Sequence, residues 1–119
     1  MGKPVVHFEV IGKDGGKLQS YYSELFGWEV DANNPMNYGM VEAVAGRGIA
    51  GGIGQLGDLP QPRIAFYVAT PDIEKSLHRV CELGGGVLMP RTELPGGTVI
   101  AMFADPEGNS VGLVEEHAD

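Results

Sequence analysis

The sequence predicts an α+β fold made of two βαβββ units in tandem, and three observations carry that reading. The chain repeats itself at an offset close to half its length: Val5-Val6-His7-Phe8-Glu9-Val10 leads into a segment ending Glu24-Leu25-Phe26-Gly27, and Arg63-Ile64-Ala65-Phe66-Tyr67-Val68 leads into one ending Glu82-Leu83-Gly84-Gly85. Each strand-like run is followed by apolar residues at helical spacing. Three more short strand-like runs then follow, separated by turn residues. A unit of roughly 60 residues buries too small a share of its surface to be comfortable alone. The 119 residues are therefore expected to form one domain, 1–119, with unit one at about 4–56 and unit two at about 62–116, and a ligand is expected between the units.

Residues 5–11 read as the first strand, broken by Gly12-Lys13-Asp14-Gly15-Gly16. Leu18, Tyr21, Tyr22, Leu25 and Phe26 fall on one helical face before Gly27 stops the helix. Trp28 to Val30, Tyr38 to Val44 and Ile49 to Ile53 are the next strands, and Gly54 to Pro62 suits a linker. Ile64 to Ala69 opens the second unit, with Thr70 placed to cap a helix and Pro71 at its first position. Ile73, Leu77, Val80 and Cys81 form the apolar stripe of that helix, and Gly84-Gly85-Gly86 ends it. Strands are expected at Val87 to Met89, Thr98 to Ala104 and Ser110 to Val114, the last two joined by a type I turn at Asp105-Pro106-Glu107-Gly108. Tyr22, Leu25, Phe66 and Leu77 are expected in the cores between sheet and helix, and Cys81 as a buried thiol without a catalytic role.

Composition narrows the classes of function. At 43% hydrophobic and 20% charged residues, with no apolar run near the length of about 18 needed to cross a bilayer, no membrane partner is expected. The N-terminal residues pass straight into a strand, which gives the expectation of a cytoplasmic protein. A net charge of -8, with eight Lys and Arg that read as scattered, argues against a nucleic-acid partner.

The paired βαβββ pattern, a histidine in the first strand, Tyr21-Tyr22-Ser23-Glu24-Leu25-Phe26-Gly27-Trp28 at the first helix end, and Phe103-Ala104-Asp105-Pro106-Glu107-Gly108-Asn109 before the last strand resemble the vicinal oxygen chelate superfamily. That superfamily includes glyoxalases, extradiol dioxygenases, methylmalonyl-CoA epimerases and bleomycin-resistance proteins. The resemblance covers nearly the whole chain and is specific for the fold, not the reaction. It implies a curved, cup-like mixed sheet with helices on the outside, a small organic molecule held inside the cup, and a homodimer.

In the superfamily's metalloenzymes the first and last strands of the two units supply the ligands. His7 stands at the first such position and can coordinate, but Arg63 stands at its counterpart, and a guanidinium offers no lone pair. The last-strand positions fall in Ile49-Ala50-Gly51-Gly52 and at Gly112, which carry no side-chain donor. Glu42, His78 and His117 are not placed to help. No metal and no cofactor is therefore expected.

Strand alternation puts His7, Glu9 and Ile11 on one face, and Arg63, Ala65 and Tyr67 on the matching face of the second unit, while Phe8, Val10, Ile64, Phe66 and Val68 face the helices. The expected ligand-binding residues are His7, Glu9, Arg63, Tyr67 and Gly112, with open space at Gly51, Gly52 and Gly112. A Glu–Arg or Glu–His pair there equally suits plain structural neutralisation. Two classes of function stay open: a metal-free small-molecule-binding protein, and a lyase, isomerase or dioxygenase with Glu9 or His7 as base, or with a divalent metal. The absence of a nucleophile beside a base and of a cofactor motif favours binding.

Overall fold

A computed structural model describes residues 2–57 and 61–116. In chain order the elements are β1 (Val5–Gly12), α1 (Gly15–Phe26), β2 (Val30–Asp31), β3 (Gly39–Val41), β4 (Ala50–Gln55), β5 (Arg63–Thr70), α2 (Ile73–Glu82), β6 (Gly86–Glu93), β7 (Val99–Ala104) and β8 (Ser110–Glu115). This is the α+β, twice-βαβββ order read from the sequence. Two compact units result, His7–Ala65, and Met1–Val6 together with Phe66–Asp119. No helix among the described residues is long and apolar enough to cross a membrane.

In the unit His7–Ala65, β1 and β4 run parallel, with Phe8 opposite Gly51 and Glu9 opposite Gly52, while β3 is antiparallel to both β4 and β2. β4 runs on to Gln55, so Gly54 and Gln55 are strand and not linker; residues 58–60 of the expected linker lie outside the described residues. Asp14 starts α1 by accepting the amide of Lys17 at 3.0 Å, and Gly27, at φ 71°, ends it in a left-handed turn.

The stripe that α1 turns to its sheet is rotated from the one expected. Gly15 is buried against the backbone of Gly54 and Gln55, and the Gln19 amide reaches the carbonyls of Ile53 at 2.8 Å and Asn37 at 3.0 Å. Those two bonds fix the helix about its axis. Tyr22 is then half-buried against Trp28, ring centroids 6.0 Å apart, but Tyr21 and Leu25 remain exposed. The expectation that Leu25 is core is thus corrected.

In the second unit β5 and β8 run parallel, β7 is antiparallel to β8, and β6 is antiparallel to β7. Ile73, Leu77, Ala101 and Leu113 form the core, with Val68, Val99 and Phe103 packed on it. Phe66, expected in this core, is exposed, as is Ile64 on the same strand face. The reason is length: ten helical residues span about 15 Å, whereas the eight residues of β5 span about 26 Å, so α2 covers only the later part of the strand.

Three local expectations are also corrected. The cap of α2 is Asp72, which accepts the Lys75 amide at 3.0 Å, while Thr70 is the last strand residue and bonds the Ser76 hydroxyl at 2.7 Å. Cys81 is exposed, because half-buried Val80 follows buried Ile73 and Leu77 along the sheet-facing stripe. β6 is longer than expected and carries Pro90, tolerated because its ladder shifts register there and the strand lies at the end of the order β5-β8-β7-β6. The turn after β7 closes as read, with the Gly108 amide 2.9 Å from the Asp105 carbonyl.

The glycines at 51, 52 and 112 do not leave open space. A methyl at Gly51 would strike the ring of Phe8, one at Gly52 the ring of Tyr38, and one at Gly112 the ring of Tyr67. Each glycine is the floor under an aromatic side chain of the protein itself. Gly52→Ala should destabilise the chain by about 1–3 kcal/mol, the usual cost of overpacking. In a Tyr38→Ala background the same change should be close to neutral, as read from urea unfolding of the four proteins of the cycle.

Candidate functional site

Strand alternation brings His7 and Glu9 to one face of β1, and the turn before β3 delivers a third group to them. Asn34 accepts the Tyr38 amide at 2.9 Å and donates to the Tyr38 carbonyl at 2.7 Å, and Asn37 adopts φ 52° between them. This turn lays the Tyr38 ring over Gly52 and Gly54. From there its hydroxyl donates to Glu9 Oε2 at 2.9 Å and lies 2.9 Å from His7 Nε2. Arg63, at the start of β5, donates from Nη2 to Glu9 Oε1 at 3.1 Å.

The phenol has one proton, and it goes to the carboxylate. The contact with His7 must therefore be a bond from Nε2–H to the phenol oxygen, which sets the tautomer of the neutral imidazole. Burial pushes the His7 pKa below its ordinary value, and the Glu9 carboxylate opposes this only in part. Glu9 is 7% exposed, and both its oxygens are engaged. The Arg63 Nε is buried and has no hydrogen-bond partner among the described residues.

Of the residues expected in the site, His7, Glu9 and Arg63 are thus joined within the unit His7–Ala65. Tyr67 and Gly112 lie in the other unit, where they are register partners and the Tyr67 ring covers the glycine. Tyr38 is the residue that sequence reasoning missed. Its signal was the size complementarity between a tyrosine after an Asn-Pro turn and a glycine pair, which periodicity does not register.

A metal centre of the superfamily's kind does not fit these residues. His7 Nε2 is turned to Tyr38, the β4 partners of His7 and Glu9 are Ala50 and Gly52, and Glu9 is held by a guanidinium. Glu42 is exposed beyond β3, His78 is exposed on α2 beside Glu82, and His117 lies outside the described residues. Among the described residues no group of three or more His, Cys, Asp or Glu side chains is placed to hold a metal ion.

The twice-βαβββ fold is that of the vicinal oxygen chelate class, and comparison with known proteins agrees. The chain belongs to the Glyoxalase-like domain family, whose sequence profile matches residues 8–114. It is 28% identical over 106 residues to the "Putative glyoxylase CFP32" of Mycobacterium bovis and of Mycobacterium tuberculosis, covering 84% of this chain and 41% of the relative. The chain therefore spans about two-fifths of the length of those relatives. Among solved structures it is similar to a glyoxalase/bleomycin resistance protein/dioxygenase superfamily member from Vibrio splendidus (TM-score 0.62, 19% identity, 97% of this chain and 100% of that one). A methylmalonyl-CoA epimerase variant from Streptomyces coelicolor, in complex with 2-nitronate-propionyl-CoA, is also similar (TM-score 0.62, 15% identity, 98% and 99%). At these identities the structures establish the fold.

The pH dependence follows from His7. Its pKa is lowered on folding from 6.5, so the unfolded chain takes up the proton first as pH falls. The stability it contributes is present above 6.5 and is lost as pH drops through the lower folded-state value. His7→Asn should flatten that part of the curve. Melting temperatures of both proteins measured on either side of 6.5 check this, and equal slopes would contradict it.

Proposed function

We propose that this chain is a metal-free small-molecule-binding protein that recognises an organic ligand through Arg63 and the His7–Tyr38–Glu9 network. The observation that carries the reading is the buried Arg63 Nε–H without a partner, beside an Nη2 already committed to Glu9. A buried donor left unsatisfied costs stability, and an acceptor oxygen on a ligand would remove that cost. Support also comes from the two candidate bases. Glu9 and His7 both spend hydrogen-bonding capacity inside the network, which suits a fixed recognition surface better than proton abstraction. A homodimer in the cytoplasm completes the proposal, to be checked by sedimentation equilibrium and cell fractionation.

A second reading rests on one feature, the continuous hydrogen-bonded chain from His7 through Tyr38 to Glu9, with an imidazole that burial keeps neutral near pH 7. Such a chain can move a proton, so an isomerase acting next to a carbonyl is the alternative. The similar epimerase was solved with a CoA ester, and acyl-CoA thioesters are therefore the first ligands to try for either reading.

A thermal-shift screen of acyl-CoA thioesters, oxo acids and aromatic antibiotics should yield a ligand that raises the melting temperature, since binding to the native state alone stabilises it. Arg63→Ala should then weaken that ligand by about 1–3 kcal/mol, as expected for loss of a charged hydrogen bond. Unchanged affinity in folded Arg63→Ala and Glu9→Gln variants would make these charges structural. Solvent deuterium incorporated next to the carbonyl of a bound thioester would favour the isomerase. About one Zn, Ni, Mn or Fe per chain after chelator-free purification, lost on His7→Ala, would overturn the metal-free reading.

A further inference from the structure

The cations of this acidic chain are gathered, not scattered. Of its eight Lys and Arg, Lys13, Lys17 and Arg63 line one groove and Lys3, Lys75 and Arg79 line a second. The second groove also carries Asp72 and Asp105, and Arg79 is paired there with Glu82. The first groove holds one carboxylate, Asp14, whose Oδ1 caps α1. Neither Lys13 nor Lys17 has a carboxylate within ion-pair distance among the described residues. In a chain of net charge -8 this is a local reversal of sign.

The first groove lies entirely within the unit His7–Ala65, between α1 and the ends of β1 and β5, and has a volume of about 730 Å³. Its walls are apolar. Val10, Leu18, Tyr21 and Ile64 line it, the last 74% exposed. The rotation of α1 that Gln19 imposes leaves Tyr21 to the groove and not to the sheet. An apolar trough of this volume suits a small organic molecule, and an unpaired lysine pair at its rim selects the charge of that molecule.

We propose that this groove binds an amphipathic organic anion, its apolar body against Tyr21 and Ile64 and its carboxylate between Lys13 and Lys17. The groove adjoins the Glu9 network at Arg63, which lines it while paired with Glu9, and the proposal rests on Lys13, Lys17 and the apolar walls. Decanoate is the probe, titrated into the full chain and followed by amide and methyl NMR, with decan-1-ol and decyltrimethylammonium as uncharged and cationic comparisons. Saturable shifts are expected at Leu18, Tyr21 and Ile64, with decanoate bound most tightly and decyltrimethylammonium least. The double variant Lys13→Glu, Lys17→Glu, at exposed positions, should fold and should lose about tenfold or more of the decanoate affinity while keeping that for decan-1-ol. Tyr21→Ser should weaken both. Binding of decyltrimethylammonium as tight as that of decanoate would overturn the proposal, as would shifts that map elsewhere. Self-association that protects Tyr21 and Ile64 and excludes decanoate would also overturn it, assigning the face to a second copy of the chain.

Discussion

The buried carboxylate of Glu9 is the constraint around which the unit His7–Ala65 is arranged. A carboxylate at 7% exposure is tolerable only if its charge and lone pairs are met, and two groups far away in sequence meet them: Arg63 from the start of β5 and Tyr38 from the turn before β3. Removing Arg63 would take away the opposite charge, and removing Tyr38 a hydrogen-bond donor to Oε2. The glycine at 52 belongs to the same arrangement, because Glu9 pairs with Gly52 across the β1–β4 ladder and only a residue without Cβ lets the Tyr38 ring lie flat enough to reach both Glu9 and His7. The polar network and the steric gap specify each other.

The same device occurs in the other half with different chemistry. Tyr67 and Gly112 are partners across the parallel β5–β8 pair, as Phe8 and Gly51 are across β1–β4, and each ring occupies the volume its glycine vacates. In each unit, one aromatic residue of the first strand is thus set against a glycine on the parallel last strand. In a metalloenzyme these last-strand positions would need a donor. Here they hold glycine, so the absence of ligands and the presence of rings are one property of the sequence.

Much of the architecture was legible because it rests on local signals. The repeat, the two helices, the stop at Gly27 and the turn at Asp105–Gly108 follow from periodicity and from residues with few allowed conformations. What was not legible depended on counting across elements. That Leu25 and Phe66 stay exposed cannot be read from their hydrophobicity. It follows from the rotation that Gln19 imposes on α1 and from an α2 shorter than the strand it covers. His7, Glu9 and Arg63 could be placed together by alternation, but Tyr38 could not, since its position depends on how Asn34 folds the turn and on which strand lies beneath.

The superfamily scaffold offers the same few strand positions in each unit, and the character of the site turns on small substitutions there. Arg63 draws the Glu9 carboxylate into an ion pair, and the His7 imidazole turns its Nε2–H to the Tyr38 phenol. The guanidinium keeps its proton and so can only donate to the carboxylate, while the phenol, having given its proton to that carboxylate, accepts from the imidazole. On the reading proposed above, an arginine on β5 together with glycines on the last strands makes these positions suit an acceptor oxygen better than a cation.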